Sequence, residues 1–344
     1  ENIRPGAATR AGFGWEKVHE LNPRLIMASL KGFNKGSRFA NVKAFEPVAQ
    51  SAGGAASATG WNEGSANIPT QSAAALGDSN SGMHLTIAIL AALLQREHPG
   101  KGSYVYQSMQ DAVINLCRIK LRDQLMLDNL GALPFYAVYP NYKWGKTIPR
   151  SENSEGGQVI GWTYKAKGWE TDPNAYVYIV IQNKNKSWET IANTMGHPEW
   201  ATDERFKDWE HRQLHKQEIY PLIESYTKNY DKYELTKKLE EAGILVGPVL
   251  DWHELENDPD LNEDGTLVKI NQGGNRGEFK TVGMPFTMSN YKPTYKRVPD
   301  LGENNKEILS SLGYDPEQIE ELVAKGVISK VEKPHNPRTK VIKD

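Results

Sequence analysis

The stretch MHLTIAILAALLQREHPGKGSYVY, residues 83–106, decides the fold class. From about Met83 to Glu97 it is dominated by Ala, Leu and Ile and reads as a helix, which His98-Pro99-Gly100 closes. Tyr104-Val105-Tyr106 then alternates like a strand. Upstream, Leu25 to Leu30 (LIMASL) reads as a buried strand stopped by Lys31-Gly32, and residues 15–21 as a short helix ending near Asn22-Pro23. Helix, strand, long helix and strand in this order predict an α/β unit with a parallel sheet.

Further out, residues 50–82 are rich in Gly, Ala, Ser and Asn, a composition suited to close backbone packing or to a loop approaching a ligand. Gln110 to Leu127 reads as a second long helix, with Val113, Leu116, Leu121 and Leu125 near helical spacing. Residues 131–161, with Pro134, Pro140 and Pro149, read as a linker or active-site loop. Ala175 to Gln182 is a strand, followed by helices over 187–195, 212–227 and 231–242, the last capped by Gly243. Residues 250–297 read as short strands and turns, and Asp315-Pro316 opens a final helix to about Lys325. The basic, proline-containing tail from Lys330 is expected to be disordered. No repeat of fixed period is present.

With 344 residues the chain has the length of two domains or one large one. Its 41 basic and 43 acidic residues give a net charge of -2, which argues against a general nucleic-acid binder. The single cysteine, Cys117, excludes an internal disulfide framework and a multi-cysteine zinc site, and fits a reducing, cytoplasmic setting. Leu85 to Leu94 is the longest apolar stretch, well short of the about 20 residues a membrane span needs. No signal peptide is visible at the N-terminus. The chain begins at Glu1 rather than Met, and the expectation is a processed protein or a piece of a longer one.

Asp78, in Ala75-Leu76-Gly77-Asp78-Ser79-Asn80-Ser81-Gly82, is the first chemical candidate. A helix N-terminus stabilises an ionised carboxylate, and one on a Gly-rich turn suits a nucleophile. Capping of the helix, alone, is the plainer reading of the segment. Gly156-Gly157-Gln158 suits a mobile lid with main-chain N–H groups open to an anion, or a plain loop. Asn2, Arg4, Arg10, Lys31, Arg38 and Lys43 form a loosely basic region, either a phosphate site or a solvated surface. His211 and His215 are spaced i, i+4, but no HExxH pattern surrounds them, so no metal site is expected. Gly273 to Gly277 reads as a turn without a nucleotide fingerprint, and no GxSxG elbow is present. Taken from the residues alone, these features do not name a reaction.

Several segments together resemble the class III CoA-transferases. Residues 75–97 (ALGDSNSGMHLTIAILAALLQRE) look like that family's signature. Ser108 to Gln124 (SMQDAVINLCRIKLRDQ) and Lys167 to Pro173 (KGWETDP) are more selective and resemble its formyl-CoA:oxalate branch. Asn41 to Gly54 (NVKAFEPVAQSAGG) and Leu301-Gly302-Glu303 with the final helix also fit. The resemblance runs from Glu1 to Ile328.

The resemblance implies that Asp78 is the catalytic aspartate, acylated in turn as a mixed anhydride and as an aspartyl-CoA thioester. It implies that Gly156, Gly157 and Gln158 close over these intermediates, and that Asn2, Ile3, Arg4, Arg10, Lys43 and Phe45 contact CoA. No metal and no permanently bound cofactor is implied; CoA thioesters are substrates, as is oxalate, and no membrane partner is expected. Ser154-Glu155 departs from the longer glycine run usual in that branch, which bears on the acceptor acid. A second departure is that the family's N-terminal Rossmann-like half, which precedes a motif like Glu1 to Gly6, is absent, so the chain looks N-terminally truncated and a sheet edge would be exposed.

The implied architecture is α/β, a Rossmann-like large domain plus a smaller α+β domain in an interlocked homodimer. The expected division is a large domain over 1–125, a linker over 126–145, a small domain over 146–250, a return linker over 251–299, the C-terminal part of the large domain over 300–329 and a tail over 330–344. Two alternatives remain. A related acyl-CoA racemase needs a His and Asp pair for proton transfer, and Leu21 to Met83 holds no histidine. An inactive CoA-binding or dimerisation remnant is the reading from a different class.

Overall fold

A computed structural model describes residues 1–98, 100–130, 147–153, 160–273 and 277–329. The chain divides into two compact units, Glu1–Val249 and Leu250–Asp344. In chain order the first holds α1 (Ala7–Arg10), α2 (Trp15–Leu21), β1 (Met27–Lys31), α3 (Glu46–Ala52), α4 (Ala55–Ala58), α5 (Asp78–Arg96), β2 (Tyr104–Ser108), α6 (Met109–Leu116) and α7 (Arg118–Leu130). It continues with β3 (Ile160–Lys165), β4 (Tyr176–Ile181), α8 (Asn185–Thr194), α9 (Trp209–Leu214), α10 (Lys216–Thr227), α11 (Lys232–Glu241) and β5 (Leu245–Pro248).

β1 and β2 pair in parallel, from Met27 opposite Tyr104 to Lys31 opposite Ser108. The crossover between them contains α5, as the strand–helix–strand pattern predicts. A small apolar cluster of Ala49, Ala55, Met109 and Val113 packs α3, α4 and α6 together. The larger core belongs to the antiparallel sheet β3-β4-β5. Along β4 the side chains alternate, and Val177, Ile179 and Ile181 are fully buried. Trp188, Ile191, Ile219, Ile223, Leu235 and Leu239, from α8, α10 and α11, join them in one cluster. Each such side chain contributes about 1.5–3 kcal/mol of burial. This outweighs the propensity of any one residue, and β4 falls where its sequence predicts.

Three boundaries differ from expectation. α5 begins at Asp78, five residues ahead of Met83. Its opening N–H groups are satisfied from outside the helix, by a carboxylate on α3. The predicted helix over 110–127 is two helices broken at Cys117, whose φ of -81° and ψ of 12° leave the helical region. Its carbonyl accepts from Lys120 and Leu121 at 2.9 and 3.2 Å, so the backbone bonds continue across the bend. The Cys117 thiol is half-buried, and burial pushes its pKa up against the opposing charge of Lys120. The predicted helix over 212–227 likewise breaks at His215, between α9 and α10.

Met83, Ile87, Leu90 and Leu94 are 60, 64, 55 and 73 % exposed along α5. At spacings of four, three and four residues they form one stripe. Among the described residues no helix is long and apolar enough to cross a membrane.

The second unit holds α12 (Trp252–Asn257), α13 (Pro259–Glu263), β6 (Leu267–Asn271), β7 (Glu278–Val282), α14 (Asn305–Ser311) and α15 (Pro316–Ala324). β6 and β7 form an antiparallel pair, Leu267 opposite Val282. The two short helices at its start correct the strand-and-turn reading of residues 250–297. Asp251 and Glu254 make a reciprocal capping box there, and Asp315 and Gln318 make another at α15. The proposed tail from Lys330 lies outside the described residues.

Candidate active site

A cleft of about 490 Å³ opens at the C-terminal end of β1. Asn2, Ile3, Arg4, Lys43, Phe45 and Asp78 line it, together with Lys31, Gly32 and Met109. Residues separated by more than seventy positions in sequence thus meet in one place. Arg10, grouped with them by sequence, is not among the lining residues. It ends α1 with its guanidinium over Gly6, where an added Cβ would sit 2.9 Å from Nη1.

Each segment reaches the cleft for a physical reason. Residues 1–3 lie along β1: the Glu1 nitrogen donates to the Ala28 carbonyl at 2.7 Å, and Leu30 N–H to the Glu1 carbonyl at 2.9 Å. Buried Lys31 donates to both Glu1 carboxylate oxygens at 2.6 Å and to the Ile3 carbonyl at 2.7 Å. The Ser29 hydroxyl and the Ile3 N–H donate to the same carboxylate. Burial pushes the Glu1 carboxyl up, but these donors and the Lys31 charge more than offset it and hold its pKa below the ordinary value. Lys31 is therefore engaged by the protein itself, whereas Arg4 and Lys43 are exposed. Residues 42–45 come close because position 32 is glycine. A Cβ there would lie 2.3 Å from the Ala44 Cβ, well inside contact distance.

Asp78 is exposed at the first position of α5. It is not the cap of its helix. Gly77 occupies the N-cap position with no side-chain bond of its own. Glu46, the first residue of α3, supplies the acceptors: Oε1 takes the Gly77 N–H at 2.9 Å and Oε2 takes the Asp78 N–H. Gln50 Nε2 donates to Glu46 Oε1 at 2.8 Å. Burial raises the Glu46 pKa, but donation from Gly77, Gln50 and Asp78 outweighs it, and the carboxyl stays below its ordinary range.

Gln50 is itself buried and grips residues 72–74, accepting from the Ser72 N–H at 2.9 Å and donating to the Ser72 and Ala74 carbonyls at 3.0 and 3.3 Å. Glycine at 77 is required by the same packing, since a Cβ would meet the Ala49 Cβ at 2.7 Å and Glu46 Oε2 at 3.0 Å. Further along α5, buried Asn80 donates to the Ala112 carbonyl at 2.8 Å and pins the helix to α6. Glu46, Gln50 and Asn80 were missed as site residues by sequence reasoning. Glu46 and Gln50 sit four apart on one helix face, a spacing visible in sequence, but their partners 22 to 32 residues away are not.

Gly156, Gly157 and Gln158 lie outside the described residues, as do Ser154 and Glu155. The chain that leads to them is held firmly. Buried Asn62 donates to the Arg150 carbonyl and to Glu152 Oε1, both at 2.9 Å, and accepts from the Arg150 N–H at 2.8 Å. Glu152 adopts a left-handed φ of 52°, rare for a residue with a side chain, and its N–H donates to the Gly60 carbonyl at 3.0 Å. The Tyr178 hydroxyl donates to the Asn153 carbonyl at 3.0 Å.

A second cleft of about 340 Å³ shares Arg4 and Lys31 with the first and is walled by Trp15, Lys35, Tyr104 and Tyr106. Lys35 Nζ lies 4.3 Å from the Tyr104 ring centroid. Nδ1 of His211 and of His215 each lies 2.6 Å from a separate carboxylate, Asp208 and Glu218. Among the described residues no histidine lines either cleft.

The family described as CoA-transferase family III matches residues 1–305. A formyl-CoA:oxalate CoA-transferase of Shigella sonnei is 50% identical over 319 residues, covering 93% of this chain and 75% of that protein. One from Escherichia coli O139:H28 matches to the same extent. Among solved structures, a CAIB/BAIF family protein from Brucella suis superposes with a TM-score of 0.70 at 23% identity, over 91% of this chain and 74% of that one. A Mycobacterium tuberculosis protein gives 0.69 at 20%, over 89% and 75%. These structures share the fold; the sequence match carries the family. On that sequence match, the chain belongs to CoA-transferase family III.

Proposed function

We propose that the chain moves CoA from formyl-CoA, or another short acyl-CoA, to oxalate, with Asp78 as the nucleophile. One observation carries the reading: an exposed carboxylate at the start of α5 shares a cleft with the cations Arg4 and Lys43 and with Asn2, Ile3 and Phe45. The identity to relatives named for formyl-CoA and oxalate supports the choice of substrates.

In the proposed sequence an Asp78 carboxylate oxygen adds to the thioester carbonyl carbon and the C–S bond breaks. CoA leaves as thiolate, and the formyl group remains on Asp78 as a mixed anhydride. The thiolate sulfur then adds to the aspartyl carbonyl and formate departs, leaving an aspartyl-CoA thioester. An oxalate oxygen attacks that thioester and releases thiolate again. Attack of the thiolate on the oxalyl carbonyl frees the Asp78 carboxylate and gives oxalyl-CoA. Covalent catalysis splits one transfer into four exchanges, with no net oxidation and no permanent cofactor. Arg4 and Lys43, with Arg10, would meet the CoA phosphates, and Asn2, Ile3 and Phe45 the rest of the carrier. Gly156, Gly157 and Gln158 would shield the anhydrides from water. The proposed assembly is an interlocked homodimer, with residues 1–125 and 300–329 in its large domain and 146–250 in its small one. We place it in the cytoplasm.

The racemase alternative is disfavoured because no histidine lines the cleft among the described residues. The test is intact-mass and peptide mapping after incubation with formyl-CoA. A CoA adduct on the peptide containing Asp78, absent in Asp78→Ala, is expected. A folded chain that yields no adduct would leave the inactive CoA-binding remnant as the better reading.

A further inference from the structure

We propose that Glu46 is a positioning residue that sets both the place and the reactivity of Asp78; this rests on Asp78 being the acylated nucleophile. Three hydrogen bonds define its geometry: Gly77 N–H to Oε1 at 2.9 Å, Asp78 N–H to Oε2, and Gln50 Nε2 to Oε1 at 2.8 Å. Two consequences follow. First, the turn into α5 is fixed from α3, so the Asp78 Cα has one position. Glycine at 77 is part of the same fit, because nothing larger fits between Glu46 and Ala49.

Second, Glu46 occupies donors that would otherwise stabilise charge on Asp78. The free N–H groups of a helix's first turn favour a nearby carboxylate. Here two N–H groups at the opening of α5 are bonded to another anion, the Glu46 carboxylate. A carboxylate stabilised less is a stronger nucleophile. On acylation Asp78 loses its charge, as an anhydride or as a thioester. The neutral acylated states have no need of the donors that Glu46 occupies, so the anionic Glu46 carboxylate on those N–H groups favours both acylated states over the free carboxylate. Glu46 touches neither CoA nor the acceptor in this account; it acts through Asp78.

The experiment measures the rate of adduct formation on the Asp78 peptide in rapid-quench mass spectrometry, for the parent chain, Glu46→Gln, Glu46→Asp and Asp78→Ala. CoA binding is measured in parallel, so that rates are expressed per binding-competent molecule. Glu46→Gln keeps the size of the side chain and removes the charge. It is expected to slow acylation about tenfold, about 1.4 kcal/mol of barrier, with the KM for acyl-CoA within about twofold of the parent. Glu46→Asp keeps the charge and should recover most of the rate, which a purely structural role would not predict for the shorter side chain. Equal rates for parent and Glu46→Gln, with the adduct on Asp78, would overturn the role of Glu46 and leave the nucleophile intact. So would a Glu46→Asp chain as slow as Glu46→Gln. No adduct on Asp78 in the parent chain would overturn both.

Discussion

Glu46 also makes a prediction about acid stability that requires no substrate. Its carboxyl has a folded pKa below its unfolded value, because burial is more than offset by the N–H groups of Gly77 and Asp78 and the amide of Gln50. A depressed carboxylate contributes stability that is fully present above the unfolded value of about 4.3 and is lost as pH falls through the folded one. Glu46→Gln should therefore lower the Tm at pH 7, and the gap to the parent should narrow as pH drops below about 4.3. Melting curves across pH 3–7 check this, and a gap that stays constant would refute it. At this scale sequence reading singled out Asp78, and the structure places it in the cleft but caps its helix from elsewhere. Asp78 stands among Ser79, Asn80 and Ser81, all good cap types, so a local cap was the natural inference. The acceptor comes instead from a carboxylate 31 and 32 residues away, and no local pattern encodes that distance.

Elements were legible where burial reinforced periodicity. β4 combines strict alternation with complete burial of one face, and its predicted limits hold to within a residue. β1 and β2 were found from short apolar runs and a parallel sheet from the α/β order; that these two strands are the ones that pair comes from the structure. The breaks at Cys117 and His215 were not legible, because neither interrupts the apolar spacing or introduces Gly or Pro. The clamp at Asn62 was invisible for a similar reason: residues 50–82 are uniformly small and polar, and nothing marks one asparagine among them. Asn62 is 1 % exposed and ties three groups of residues 150–152 to the 58–62 segment. Asn62→Ala leaves the half-buried main-chain N–H and carbonyl of Arg150 without this partner. The expected cost is about 1–3 kcal/mol in urea unfolding, with faster proteolytic cleavage near Arg150. Unchanged unfolding and cleavage would mean that the other contacts of Arg150 and Glu152 suffice.

Across the whole chain the apolar burial is uneven. Most fully buried large side chains belong to residues 160–244, whereas the cluster beneath α3, α4 and α6 is made of four residues, two of them alanines. Meanwhile α5, which begins with the candidate nucleophile, exposes the stripe Met83, Ile87, Leu90 and Leu94. A contiguous exposed apolar stripe promotes association. Replacing Ile87 and Leu94 together by Glu should reduce binding of a hydrophobic dye and shift sedimentation toward the monomer, with the β4 core unaffected. Sedimentation and dye binding that do not respond would mean that the stripe mediates no association. Sequence reading anticipated the helix but not this surface, since the same Ala, Leu and Ile pattern describes a buried helix equally well.

The bend at Cys117 has one more consequence. The chain holds a single thiol, and it sits half-buried where α6 gives way to α7, with its ionisation suppressed by burial. Only the thiolate reacts with disulfide reagents, and burial withholds it. Labelling kinetics at fixed pH, with no competing cysteine, would therefore report at a single place how far that joint shields and protonates its sulfur.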